Sequence, residues 1–259
     1  MKAKLYFLIP MALVVSINVT KAQEHRITVQ NPQETTLTLS DFYDELPIEG
    51  YAGNEVIITS TSSRFKDVPE RAKGLKPIYA AGTDNTGIGL NVEKNGNDIR
   101  IICLSPITNH DGSYKIKVPE NMSLRIKSDC AHDNSVDIQN MKNEVEVNVC
   151  QSIRLRNVAG PLELSNISGN IDVVFGTISP KPISIAAISG EIDITLPSKT
   201  PANLEMTTVS GNMYSDFDFS SEKSDMHRVG GGTVNTKLNG GGTDLKITNI
   251  SGNIYLRKG

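Results

Sequence analysis

At 259 residues the chain is long enough for one large core or two smaller ones. A net charge of −3, with no basic run, excludes a surface built for nucleic acid or anionic lipid. Three cysteines without a Cys-x-x-Cys pair give a zinc or dithiol redox site no footing.

The first 22 residues have the layout of an export signal. Lys2 and Lys4 precede an apolar run from Leu5 to Val19, and Thr20 and Ala22 stand at −3 and −1 of a cut before Gln23. The run is short for a membrane span, and no second one follows, so the mature chain is expected to hold no transmembrane segment. No cysteine stands at the cut to carry a lipid. Cleavage removes three lysines and no acid, taking the charge from −3 to −6.

Residues 23–118 are strand-like but irregular. Val56, Ile58 and Ser60 alternate after the turn at Gly50 to Asn54. Ile88, Leu90 and Val92 alternate before Lys94-Asn95-Gly96-Asn97, and Ile99, Ile101 and Cys103 alternate after it, which predicts a hairpin. Residues 61–80 predict a long exposed loop. Leu124 and Ile126, after Val118-Pro119-Glu120-Asn121, open a regular region over 119–259 that continues the N-terminal part as one β body. A glycine-rich excursion over 220–234 interrupts it.

In that region one spacing recurs. Counted from a glycine, aliphatic residues fall at −7, −5, −2, +2 and +4 around Gly160, Gly169, Gly190 and Gly252, and at all but the last place around Gly211. Pairs two residues apart are the mark of a strand with one buried face. The glycine permits a tight turn or a close approach between neighbouring turns, and the −2 residue is expected to be a buried anchor in the turn. Strands are predicted to start near 136, 145, 153, 162, 171, 183, 192, 204, 213, 245 and 254, with Asn143 and Ser152 replacing the glycine in the earliest copies. Gly169, Gly190 and Gly211 are 21 apart, and Gly252 lies about two such steps further on. A period holding two strands predicts an all-β, solenoid-like stack with glycine-bearing turns.

Four ordered segments make the chain resemble the DUF4097 adhesin-like family of bacterial envelope proteins. They are Val118 to Leu124, the runs Ser168-Gly169-Asn170-Ile171 and Ser189-Gly190-Glu191-Ile192, Leu238-Asn239-Gly240-Gly241-Gly242-Thr243, and the closing Ser251 to Lys258. They span roughly 118–259. The resemblance implies a β-solenoid-like fold and export into a Bacteroidetes-type envelope, in the periplasm or at the cell surface. It attaches no catalytic residue or cofactor, and only the turn glycines carry over.

The outward position at +3 holds Asp172, Asp193 and Tyr214 in copies 21 apart, with Tyr255 two steps further on. Stacked coils align these into a row of carboxylates and phenols. Such a row suits a glycan, with phenol faces under sugar rings. Two carboxylates fall short of a Ca²⁺ shell of 6–8 oxygens, and the plainer reading is a solvated strand face. His110-Asp111, His132-Asp133 and His227 sit in turn-like sequence without evident partners. No nucleophile elbow, His-Glu-x-x-His run or complete phosphate loop occurs, and residues 239–243 predict only a tight turn. Cys130 and Cys150, one period apart, are placed to bridge neighbouring coils, but buried free thiols for Cys103, Cys130 and Cys150 fit the apolar pattern better. Asn166 and Asn249 begin Asn-x-Ser runs that belong to the repeat.

The expected function is a non-enzymatic binding or scaffold protein whose partner is an envelope protein or a polysaccharide. A polysaccharide-active enzyme using the stacked carboxylates and an accessory of an envelope-sensing system are the alternatives. Strand pieces of about five residues with charged outward positions argue against a membrane barrel.

Overall fold

The computed structural model describes residues 23–60, 70–75, 78–104, 114–130, 134–219 and 231–259. Residues 1–22, expected to be an export signal, much of the expected 61–80 loop, His110-Asp111, His132-Asp133, His227 and residues 220–230 lie outside the described residues. Among those described, no helix is long and apolar enough to cross a membrane.

The strands are short, and all but Ile78–Tyr79 and Gly82–Thr83, which pair only with each other, take one or the other of two sheets. In chain order they are Gln23–Thr28 (β1), Thr36–Ser40 (β2), Asp44–Tyr51 (β3), Glu55–Ser60 (β4), Ile78–Tyr79 (β5), Gly82–Thr83 (β6), Leu90–Asn95 (β7) and Asp98–Cys103 (β8). Tyr114–Pro119 (β9), Ser123–Lys127 (β10), Asn134–Gln139 (β11), Val145–Val149 (β12), Ile153–Val158 (β13), Leu162–Asn166 (β14) and Ile171–Phe175 (β15) follow. The last are Ile183–Ser189 (β16), Ile192–Leu196 (β17), Ala202–Ser210 (β18), Met213–Ser215 (β19), Gly232–Leu238 (β20), Thr243–Ser251 (β21) and Ile254–Lys258 (β22). The predicted hairpin is β7–β8, joined at Gly96.

The front sheet runs β1-β4-β9-β3-β11-β13-β15-β17-β22-β19 and the back sheet β20-β18-β21-β16-β14-β12-β10-β2-β8-β7, ten strands each. Each coil of chain therefore lays one strand in each sheet, parallel to the coils above and below. Antiparallel strands close three of the four sheet edges: β1 and β4 at one end of the front sheet, β7 and β20 at the two ends of the back sheet. Alternation puts Ile153, Leu155, Ile171, Val173, Ile192, Ile194, Ile254 and Leu256 inside, each no more than 1% exposed. Each such side chain contributes about 1.5–3 kcal/mol by leaving water, and the stack pools them into a single core.

Coil order departs from chain order near both ends. The coil β2–β3 lies between β8–β9 and β10–β11, so residues before 119 supply coils to the same stack. The closing coil β21–β22 lies between β16–β17 and β18–β19. Gly252 is thus one step beyond Gly190 and one short of Gly211, which corrects the two-step placement expected from spacing. Every coil carries the same aliphatic pattern, so the pattern cannot rank them. The expected 220–234 excursion is also shorter than predicted, because Gly232 to Val234 already belong to β20.

The two kinds of corner use the same aliphatic spacing differently. From front to back, Asn140 and Asn157 adopt positive φ (61° and 53°), and this left-handed step reverses the alternation, turning Met141 and Val158 inward. These are the buried anchors expected at −2. From back to front, the strand runs on up to Gly190, Gly252 and Gly211, and at Gly169, where β14 ends at Asn166, the side chains keep the same alternation. The −3 residues Asn166, Ala187, Asn249 and Thr208 then point inward, and Ile167, Ile188, Ile250 and Val209 point out, 47–61% exposed. The expectation of a buried anchor is wrong at these four. Gly160 belongs to the first kind of corner, half a coil out of phase with the others.

The glycine column at the back-to-front corner is a matter of contact. A Cβ on Gly190 would strike the carbonyl oxygen of Gly169, one on Gly252 that of Gly190, and one on Gly211 that of Gly252. The buried polar residues tie the same turns together. Asn249 Nδ2 donates to Gly190 O at 2.9 Å, and Asn166 Nδ2 donates to Ser168 O, Gly169 O and Gln151 O at 2.9–3.2 Å. Asn166 and Asn249 are 4% and 0% exposed, so the folded chain offers neither for modification.

Cys130 and Cys150 form a disulfide with Cα atoms 5.3 Å apart, overturning the free-thiol reading for both. The register of β10 with β12 offsets paired residues by 21, so positions 20 apart face each other at the corner. Cys103 is buried and not in a disulfide.

Candidate functional site

The row expected on the outward face of the front sheet exists, in a different order. Register pairs Asp172 with Asp193, Asp193 with Tyr255, and Tyr255 with Tyr214. Tyr255 sits inside the row because β22 is inserted before β19. The phenol rings of Tyr214 and Tyr255 stack with centroids 5.3 Å apart and planes 13° apart. Tyr214 is half exposed, so one face of this two-ring platform is open to solvent.

Upstream, the row continues through Arg154, opposite Asp172, and Asp137, opposite Arg154. Arg154 reaches Asp137 at 3.5 Å and Glu45 at 3.6 Å, and Arg156 reaches Asp137 at 3.6 Å. At the other end Arg257, on β22, places Nε 2.8 and 3.0 Å from the two carboxylate oxygens of Asp193. Its guanidinium also lies 5.4 Å from the Tyr255 ring centroid. The two stacked aspartates are therefore each set among arginines. Burial raises the Asp172 carboxyl above its ordinary value; Arg154 opposes this and Asp193 adds to it.

Arg154 and Arg257 are the residues that sequence reasoning missed. Arg154 is the second residue of the strand predicted to start at 153, as Asp172 is of the strand predicted to start at 171, so the repeat itself could have placed them side by side. Arg257 lies 64 residues from Asp193, and only the inserted coil brings them together.

Chemically, the row offers an aromatic platform and paired charges. A hydrolase using two carboxylates needs one free to accept a proton or attack, and here Asp193 is held by Arg257. Among the described residues, no three His, Cys, Asp or Glu side chains converge on a point suited to a metal ion. Tyr255 joins the row to the glycine corner: its hydroxyl donates to Glu191 Oε1 at 3.1 Å and accepts from Asn253 Nδ2 at 3.1 Å. On the back sheet, a shallow groove of about 600 Å³ is lined by Thr38, Arg100, Arg125, Lys127 and Asn148. Arg125 and Lys127 share the single carboxylate of Glu146, and Asp41 and Asp129 line the same groove, so acids offset its three cations.

Residues 15–257 match the profile of the family described as Toastrack DUF4097, a span that takes in the irregular N-terminal part as well as the repeat. No curated protein matches the chain. Among solved structures, the chain is similar to a proposed cell adhesion protein from Clostridium sporogenes. Identity is 13% and the TM-score 0.47, over 92% of this chain and all of that one. It is also similar to a proposed adhesin from Bacteroides fragilis, with 11% identity and a TM-score of 0.37, over 92% of this chain and 97% of the other.

Proposed function

The chain belongs to the Toastrack DUF4097 family, and on that premise we propose that it is a non-enzymatic binding or scaffold module, exported to the cell envelope, that presents its front sheet to a glycan or protein partner. The observation that carries this reading is the pairing of Arg257 with Asp193 beside the stacked Tyr214 and Tyr255. A carboxylate locked by a neighbouring guanidinium is a poor nucleophile or base, whereas an open phenol platform rimmed by fixed charges is a recognition surface. Family membership and the stacked architecture supply a rigid body on which such a surface keeps its shape. Export rests on the basic start, apolar run and small residues before Gln23.

A glycan array probed with the mature chain tests the reading. Binding weakened by Tyr214→Ala and by Asp193→Asn, without release of sugar from any bound glycan, is the expected result. Turnover of a glycan that stops in Asp172→Asn or Asp193→Asn would replace the module with an enzyme. Sequencing of the N-terminus from a cell-envelope fraction is expected to begin at Gln23; a cytoplasmic, uncleaved chain would overturn the export.

A further inference from the structure

We infer that the corner joining β14, β16, β21 and β18 to the front sheet is a docking ledge for a neutral, extended polysaccharide chain lying along the stacking axis. The inference deepens the binding-module reading and rests on it. Three columns in register form the ledge. Ile167, Ile188, Ile250 and Val209 make the first, 47–61% exposed although each is aliphatic. Ser168, Ser189, Ser251 and Ser210 make the second, all exposed, and their hydroxyls have no hydrogen-bond partner among the described residues. Beyond the bare glycines, Asn170, Glu191, Asn253 and Asn212 make the third, in which Asn170 Oδ1 and Asn253 Oδ1 accept from the backbone N–H of Glu191 and Asn212. Each column repeats at the strand spacing of about 4.8 Å, so the ledge offers one motif four times over roughly 14 Å.

The chemistry selects the occupant. Aliphatic side chains beside unpaired hydroxyls match a molecule whose C–H faces alternate with O–H groups along its length, which is a polyol chain. A protein partner's site is anchored by buried Trp, Tyr or Arg at its centre, and the three columns contain none. An anionic membrane calls for basic residues, whereas the ledge borders Glu191, Asp172 and Asp193. The same acids disfavour a polyanionic glycan. Contact between Tyr255, Glu191 and Asn253 makes the ledge border the phenol platform, so a chain on the ledge runs alongside Tyr255 and Tyr214.

Affinity electrophoresis of the mature chain through gels holding hydroxyethyl cellulose or polygalacturonate, with cellohexaose and chitohexaose titrated by calorimetry, tests this. Retardation by the neutral polymer is expected, and the double variant Ile188→Lys, Ile250→Lys is expected to weaken binding at least tenfold. Ser184→Lys together with Thr248→Lys, the same two charges on the outward face of the back sheet, is expected to leave binding unchanged, and circular dichroism checks that each variant folds. Neutral-glycan binding that survives the double lysine variant but is lost in Tyr214→Ala overturns the ledge and leaves the front-sheet reading standing. Binding of polygalacturonate alone, or of no polysaccharide, overturns the ledge's ligand class; the front-sheet reading is then decided by its own glycan array.

Discussion

The two corners of the coil begin from one sequence pattern and reach opposite ends. Leu155 and Val158 before Gly160 match Ile185 and Ile188 before Gly190, yet Val158 is buried and Ile188 is half in water. The difference lies at one residue, the one at −3. Asn157 there takes a left-handed conformation and flips the chain's parity, whereas Ala187 stays extended and keeps it. One corner thereby spends its aliphatic residue on the core, and the other offers it to solvent as part of a surface. Apolar spacing fixes which strands exist; the backbone conformation of one turn residue fixes what each corner is for.

The comparison is broken most severely at the glycines. Gly190→Ala forces a Cβ onto the Gly169 carbonyl and is expected to destabilise by about 3–5 kcal/mol in urea unfolding. Gly160→Ala meets nothing closer than Leu162 N at 3.5 Å and bears only the left-handed penalty of about 1–2 kcal/mol. Equal losses would mean the glycine column is not in contact.

Truncation of the aliphatic residues separates the corners next. Met141→Ala empties a fully buried site and is expected to lose about 2–5 kcal/mol, while Ile188→Ala stays within about 0.5 kcal/mol. A large loss from Ile188→Ala would place that side chain inside and remove the ledge.

Where Cys130 and Cys150 close the corner between β10 and β12, the covalent tie adds to packing. Cys130→Ser with Cys150→Ser is expected to cost about 2–4 kcal/mol, and thiol titration of the unfolded oxidised wild type should find one reactive cysteine, Cys103. Three reactive thiols would contradict the bridge.

The smallest effect concerns pH. Asp172 holds its proton to higher pH in the folded chain than in the unfolded one, so stability falls as pH rises from the ordinary carboxyl value near 3.9 through the folded value. The loss then persists at neutrality. Asp172→Asn is therefore expected to be more stable than wild type at pH 7 and to lose that advantage near pH 3. Glu146 runs the other way: burial pushes it up, but hydrogen bonds from Arg125 and Lys127 outweigh this and hold it below the ordinary value. Its contribution is present at neutral pH and fades as pH falls through the folded value.

Much of this architecture was legible in the sequence. Predicted starts near 145, 153, 162, 171, 183 and 192 coincide with the first residues of β12 to β17, because short half-buried strands announce themselves by alternation. The alignment of Asp172 with Asp193 followed from the same period. Hidden from it was everything that compares one coil with another. Nothing in Leu245-Lys246-Ile247 says that it pairs with Ile183 and Leu204 on its two sides, and so nothing said that Tyr255 would precede Tyr214 or that Arg257 would meet Asp193. The exposed column was concealed differently. Extending the alternation from Ile183 and Ile185 points inward at Ala187, but the equivalent Asn166, Thr208 and Asn249 are polar, and polar residues draw the eye to the surface. Their side chains satisfy turn carbonyls within the corner, a role no local pattern declares.

All surface rows depend on the insertion of the closing coil, and nuclear Overhauser contacts across the front sheet test it directly. Contacts of Tyr255 with both Asp193 and Tyr214, and none between Asp193 and Tyr214, are the result the stack requires. Direct contacts between Asp193 and Tyr214, with Tyr255 at the far edge, would restore simple chain order and dissolve both the Arg257–Asp193 pair and the ledge as drawn.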